Sequence, residues 1–95
     1  GKQQVAKQSP QCYFTTPNDA GGYSYWLEIL FKENAASILN KQLSNIVSLT
    51  RSISSPICAG RNYFQRFEVF PTIYYGTERD NYIYGLSITM WYKSN

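Results

Sequence analysis

The chain has 95 residues, a net charge of +3, and apolar and charged fractions of 43% and 16%. This length is enough for one domain with a single modest core. The basic residues are scattered and no two are adjacent, whereas a nucleic-acid site needs them clustered on one face, so we exclude nucleic acid as a partner.

Residues 1–10 form a polar run, which we predict to be a flexible stem, with a single α+β domain over residues 11–95. The chain opens on glycine rather than methionine. We therefore interpret the stem as a tether to an upstream membrane anchor, as the remnant of a purification tag, or as a frayed terminus. The sequence contains no apolar run long enough to cross a membrane.

Two short segments follow the stem. Residues 11–16, around Cys12, predict a short edge strand, and residues 17–22 (PNDAGG) predict a loop because they supply fixed and positive backbone dihedrals. The glycine pair does not predict a phosphate-binding loop, because the lysine and the serine or threonine of the phosphate-loop motif are missing.

Cys12 and Cys58 are the only cysteines, and the chain has no histidine, so the sequence predicts no metal site. They are either two buried free thiols or a disulfide that closes a loop of roughly 45 residues. We favour the disulfide because each cysteine lies near a proline in a surface segment. It would stabilise the domain by about 4 kcal/mol. It would also place the domain outside the cytosol, either periplasmic or secreted.

The central segment predicts a strand and a helix. Residues 23–32 alternate strictly between two faces, as a strand does. Asn34 can cap a helix that begins at Ala35 and runs to about Ile53. Its apolar stripe consists of Ala35, Leu39, Leu43, Ile46, Val47, Thr50 and Ile53, flanked by Ile38 and Leu49. Residues 54–56 (SSP) predict the end of the helix, since a residue before proline is disfavoured in a helical conformation.

Residues 63–92 predict a hairpin of two long strands joined by the polar turn 76–81. A hairpin alone is marginal in water, so the helix and the earlier strand are expected to cover it. The predicted fold class is α+β. It comprises a three- to four-stranded, mostly antiparallel sheet, one amphipathic helix packed on one face, and one disulfide.

The sheet face turned away from the helix is the predicted partner-binding site. It is assigned Trp26, Leu30, Phe70, Tyr74, Ile83 and Trp91. This set is too apolar for a face exposed only to water, and Gly85 on the same face lets another surface approach. We predict that the face binds another protein or a second subunit. The alternative is that the N-terminal segment with Tyr13 and Phe14 covers it.

Catalysis has the least support. Without histidine there is no ordinary acid-base relay for a serine or cysteine nucleophile. Glu78 and Asp80 lie in a polar turn with Arg79 between them, and Glu28 and Glu68 could approach each other across the sheet as a glycosidase pair. We predict that the protein is not an enzyme, and we assign no catalytic residue and no cofactor.

The favoured function is an extracytoplasmic protein-interaction or sensor module, such as the periplasmic domain of a membrane-anchored bacterial regulator or an envelope assembly factor. The chain also resembles the small pentamer-forming B subunits of bacterial AB5 toxins, over roughly two thirds of its length. The resemblance lies in the size, the single disulfide, and the order of a helix followed by two strands. That resemblance implies a carbohydrate-binding subunit of a secreted toxin or adhesin. It departs before the helix, where those barrels have several strands and this sequence predicts one strong and one weaker strand. A small inhibitor or immunity protein is a third interpretation, and a small apolar molecule is a further candidate ligand.

Overall fold

A computed structural model of the protein describes residues 4–8, 11–14, 22–58 and 63–93. In these ranges the elements are β1 (Gln4–Gln8), β2 (Tyr13–Phe14), β3 (Tyr23–Phe31), α1 (Ala36–Ile57), β4 (Tyr63–Ile73) and β5 (Tyr84–Lys93). All strand pairs are antiparallel, in the order β1-β3-β5-β4 with β2 beside β3. The predicted α+β fold, with one helix on one face of an antiparallel sheet, is confirmed.

The core lies between α1 and the face of the sheet that the sequence alternation assigned to it. Leu27 of β3 and Val69 of β4 both lie opposite Ile88 of β5, so three apolar side chains form one row beneath the helix. The buried side chains of this layer are Tyr25, Leu27, Phe31, Tyr84, Leu86, Ile88, Met90 and Tyr92. The predicted turn at residues 76–81 also forms.

The helix begins at Ala36, one residue later than predicted, with Ala35 rather than Asn34 at the N-cap position. The Asn34 side-chain oxygen nevertheless accepts a hydrogen bond from the Ala36 amide at 3.1 Å. Its apolar stripe packs on the core through Ile38, Leu39, Ile46, Val47 and Ile53. The helix is kinked at Gln42, whose dihedrals of −131° and 16° are not helical. The sequence predicted a continuous helix, because no glycine or proline lies near this position.

The helix extends through Pro56 to Ile57, and the predicted stop at residues 54–56 was therefore wrong. Two contacts hold the last turn in place. The Cys58 amide donates to the Ser54 carbonyl at 2.8 Å, and the buried Ser54 hydroxyl lies 2.5 Å from the Tyr92 hydroxyl on the sheet. A proline near a helix end removes only one hydrogen bond, so these anchors are enough to continue the helix past it.

Residues 4–8 of the predicted flexible stem form a strand, β1. Gln4–Gln8 pairs with β3 from Gln4 opposite Phe31 to Gln8 opposite Leu27. The segment lacks a strong alternating pattern. Its strand is instead specified by the edge of β3, whose backbone groups would otherwise lack partners in the sheet. Within the described residues, three strands therefore precede the helix.

Cys12 and Cys58 form the predicted disulfide, with their Cα atoms 5.1 Å apart. Cys58 is fully buried within the core layer, and Cys12 packs against the same cluster. The bridge fixes the segment around β2 to the C-terminal end of α1. Of the predicted edge strand at residues 11–16, Tyr13 and Phe14 form β2, while residues 15–16 and most of the predicted loop 17–22 lie outside the described residues. In the described part of the chain, no helix is both long and apolar enough to span a membrane.

Candidate functional site

The outer face, defined as the sheet surface opposite α1, includes the three long strands of the sheet in register. Its rows across β3, β5 and β4 are Ser24-Trp91-Arg66, Trp26-Thr89-Glu68, Glu28-Ser87-Phe70 and Leu30-Gly85-Thr72. Side chains in one row are direct neighbours on the same surface. The register therefore brings the predicted aromatic residues into adjacent rows on one face.

The chain's own turn, residues 74–83, covers one half of the outer face. Glu28 is only 4% exposed. It accepts a hydrogen bond from the Tyr74 hydroxyl at 2.7 Å and a charged hydrogen bond from Arg79. Lys32 donates to the Asp80 carbonyl at 3.0 Å and closes the far end of the turn. A buried carboxylate on β3 thus holds the turn on the sheet.

Gly85 allows this closure, because the Tyr74 ring crosses directly above it. A Cβ atom at position 85 would lie 2.9 Å from Tyr74 Cε2 and 3.2 Å from Glu28 Oε2. The absence of a side chain at position 85 was expected to let another surface approach. The approaching surface is the protein's own tyrosine.

We expect Gly85→Ala to reduce the free energy of unfolding by about 1–3 kcal/mol, because the added methyl group overpacks the contact with the Tyr74 ring. In a Tyr74→Ala background the same change should cost much less, since glycine is otherwise a poor strand residue. Urea denaturation of the four proteins in this double-mutant cycle measures the coupling. An equal cost in both backgrounds would contradict the proposed contact.

The hydrogen bond to Glu28, together with burial, raises the pKa of Tyr74 above its ordinary value of 10.0. Burial likewise raises the pKa of Tyr25. A raised pKa means that the folded state keeps the tyrosine proton to a higher pH than the unfolded state does. The associated stability is thus complete below the unfolded pKa, and it is lost as the pH rises through the folded pKa.

The free energy of unfolding is accordingly expected to fall as the pH rises above about 10. Tyr74→Phe should make this fall shallower, because it removes one of the groups responsible. Denaturant titrations at several alkaline pH values measure both slopes. Identical slopes for the two proteins would show that Tyr74 is not one of the groups that titrate.

The other half of the outer face is open and carries three aromatic side chains, Trp26, Phe70 and Trp91, which we call the aromatic patch. Phe70 is 61% exposed, and both tryptophans are partly exposed. Trp26 Nε1 donates to the Ser87 hydroxyl at 2.8 Å. The Arg66 guanidinium lies 3.7 Å above the Trp91 ring, the geometry of a cation–π contact.

The predicted partner-binding set is thus divided by the turn. Trp26, Phe70 and Trp91 remain accessible on the outer face, whereas Leu30 is fully buried. Tyr74 is committed to Glu28, and Ile83 lines a groove at the end of the hairpin. Alternation along a strand assigns a side chain to a face. It carries no information about a turn that folds back over that face. The sequence therefore could not show that Leu30 is buried while Phe70 is exposed.

The predicted alternative cover for this face does not form in the described residues. Tyr13 and Phe14 lie opposite Ser24 and Tyr23, at the edge of β3. Both side chains remain exposed, at 45% and 64%. The described part of this segment therefore extends the sheet sideways instead of forming a second layer over the outer face.

Glu28 and Glu68, which were considered as a glycosidase pair, lie on strands that are not neighbours in the sheet. Glu68 pairs with Arg66 at 2.9 Å, and β5 lies between it and Glu28. Glu78 accepts a hydrogen bond from the Tyr75 amide at 2.6 Å. Sequence reasoning missed the role of Arg79, because a turn has no periodicity. It missed the role of Ser87, because strand alternation assigns a residue to a face but not to a hydrogen-bond partner.

Comparisons with models of protein families, with curated proteins and with solved structures find no match for this chain. The functional interpretation therefore depends on the geometry of the outer face.

Proposed function

We propose that this protein is a non-enzymatic extracytoplasmic module that binds another protein through the aromatic patch. The observation that supports this most is the accessibility of Trp26, Phe70 and Trp91 in adjacent rows of a face whose other half is covered by the chain's own turn. Aromatic residues and arginine dominate the binding energy of protein interfaces.

The contacts of the patch favour binding because they limit the motion of its large side chains. Trp26 is held by Ser87 and Trp91 by Arg66. Ordering a flexible side chain on binding costs about 0.5–1.5 kcal/mol, and this cost is smaller for side chains that are already held. The surroundings carry both signs of charge, on Arg66, Glu68 and Lys93. The matching partner is a folded protein with a flat apolar centre and a mixed-charge rim.

The Cys12–Cys58 disulfide supports a location outside the cytosol, since disulfides persist in oxidising compartments. Within that range we infer a periplasmic or secreted protein, in the role of a sensor domain of a membrane-anchored bacterial regulator or of an envelope assembly factor. Such modules act through contacts with other proteins, which is the use that the aromatic patch suits.

The proposal is tested by photo-crosslinking with benzoylphenylalanine at position 70. The matched control carries the same group at Leu49, which is 56% exposed on the helix. We expect one partner to be crosslinked from position 70 and not from position 49. Trp26→Ser should abolish the adduct without unfolding the protein, which a thermal melt checks. Equal crosslinking from both positions, or an adduct that survives Trp26→Ser, would refute the proposed role of the aromatic patch in binding. An adduct of twice the protein's own mass would identify the partner as a second copy of this chain.

A further inference from the structure

We propose that the groove at the end of the hairpin binds a small uncharged apolar molecule of about two rings. The groove encloses about 330 Å³ where β4 ends and β5 begins. Its walls are mostly apolar or aromatic, formed by Ile73, Tyr74, Tyr75, Ile83 and Tyr84, with Asn34 at one side. This site is separate from the aromatic patch, and the inference does not depend on partner binding.

The walls of the groove are preorganised. Tyr74 is fixed by its hydrogen bond to Glu28, and the Tyr74 amide donates to the Ile83 carbonyl at 3.0 Å. The next residue, Tyr75, is held by Glu78 through its amide. A cavity that exists before the ligand arrives binds more tightly, because little ordering is needed on association.

Three large apolar side chains around this groove are exposed to water. Tyr75 is 75% exposed, Ile73 56% and Ile83 38%. Three large apolar side chains in contact with water around one concavity are costly unless something binds there, and such patches usually mark a binding site. The raised pKa of Tyr74 is a further feature that clusters at functional sites.

The lining also indicates the class of ligand. Among the described residues that line the groove, none has a charged side chain, so a charged molecule would lose its hydration without gaining an ion pair from them. The side-chain oxygen of Asn34 already accepts from the Ala36 amide, which leaves its NH₂ group as a donor for one acceptor on the ligand. An apolar cavity of about 150 Å³ holds benzene, and the groove is about twice as large.

The probe for this site is N-phenyl-1-naphthylamine, a neutral molecule made of a naphthyl and a phenyl group, whose fluorescence rises in apolar surroundings. We expect saturable binding at one site. Ile73→Gln should weaken it at least tenfold, while Leu49→Gln, a position with the same 56% exposure in a different groove beside the helix, should leave it unchanged. Tyr75→Ala is the second test variant, because its exposed side chain can be removed without disturbing the core.

A charged relative of the probe tests the inferred chemistry. 1-Anilinonaphthalene-8-sulfonate carries a sulfonate on the same ring system, and we expect it to bind at least tenfold more weakly than the neutral probe. Absence of saturable binding of the neutral probe would overturn the proposal. So would an equal loss of affinity in the Leu49→Gln protein, or tighter binding of the sulfonate.

Discussion

Replacing both Cys12 and Cys58 with alanine is expected to lower the free energy of unfolding by about 4 kcal/mol. The bridge spans 46 residues of sequence, and its removal releases the loop entropy of the unfolded chain. Small domains have a net stability of only about 5–15 kcal/mol. Loss of the bridge should therefore remove a large share of the net stability of the domain.

Denaturant titrations of the native protein with and without reductant, and of the double variant, measure this effect. Reduction should reproduce the double substitution in the native protein and have no effect on the variant. A cost below about 1 kcal/mol would mean that the unfolded chain is already compact around this loop, which the loop-entropy estimate ignores.

Glu28→Ala is expected to cost about 2–3 kcal/mol, because it leaves the Tyr74 hydroxyl and the Arg79 guanidinium without their acceptor. A fully buried ion pair would cost more. The Arg79 side chain is 34% exposed, so water replaces part of what it loses. The turn 74–83 should also loosen, with faster amide exchange at Ile83, whose amide donates to the Phe31 carbonyl at 2.9 Å.

The matched control is Glu68→Ala on the same face. Glu68 pairs with Arg66, but both side chains are nearly half exposed, and exposed ion pairs contribute only about 0–1 kcal/mol. Chemical denaturation compares the two variants, and hydrogen exchange follows the turn. If both substitutions had the same cost, or if exchange at Ile83 did not change, Glu28 would not be what holds the turn on the sheet.

The strands and the helix were predictable because their residues have strong periodicity. β5 alternates between buried and half-buried residues from Leu86 to Tyr92, and α1 carries an apolar stripe on one side. In β3 the alternation is interrupted, because Glu28 and Leu30 on the outer face are also buried. β1 could not be predicted in this way, since its pairing is specified by the edge of β3 rather than by its own pattern. The helix end was misjudged for a similar reason, because Ser54 is anchored by Tyr92 from the other side of the core.

The candidate site was predictable only in part. The face assignments of Trp26, Phe70 and Trp91 follow from counting by two along each strand. Whether a residue on that face meets water depends on Arg79, a turn residue far away in sequence that reaches Glu28. Turns have no periodicity, so neither this contact nor the groove beside Tyr75 could be read from the sequence.

The disulfide also determines how a mechanical load would cross the molecule. A force applied between Cys12 and Lys93 passes through the bridge to Cys58, which leaves β3 and α1 out of the load path. The load then enters β4 at Tyr63, which lies directly opposite Lys93. Force applied to two adjacent strand ends separates hydrogen-bonded pairs one at a time, so β4 would peel away from β5 at low force. β3 and α1, which lie between the two bridged cysteines, would bear no load along their own backbone.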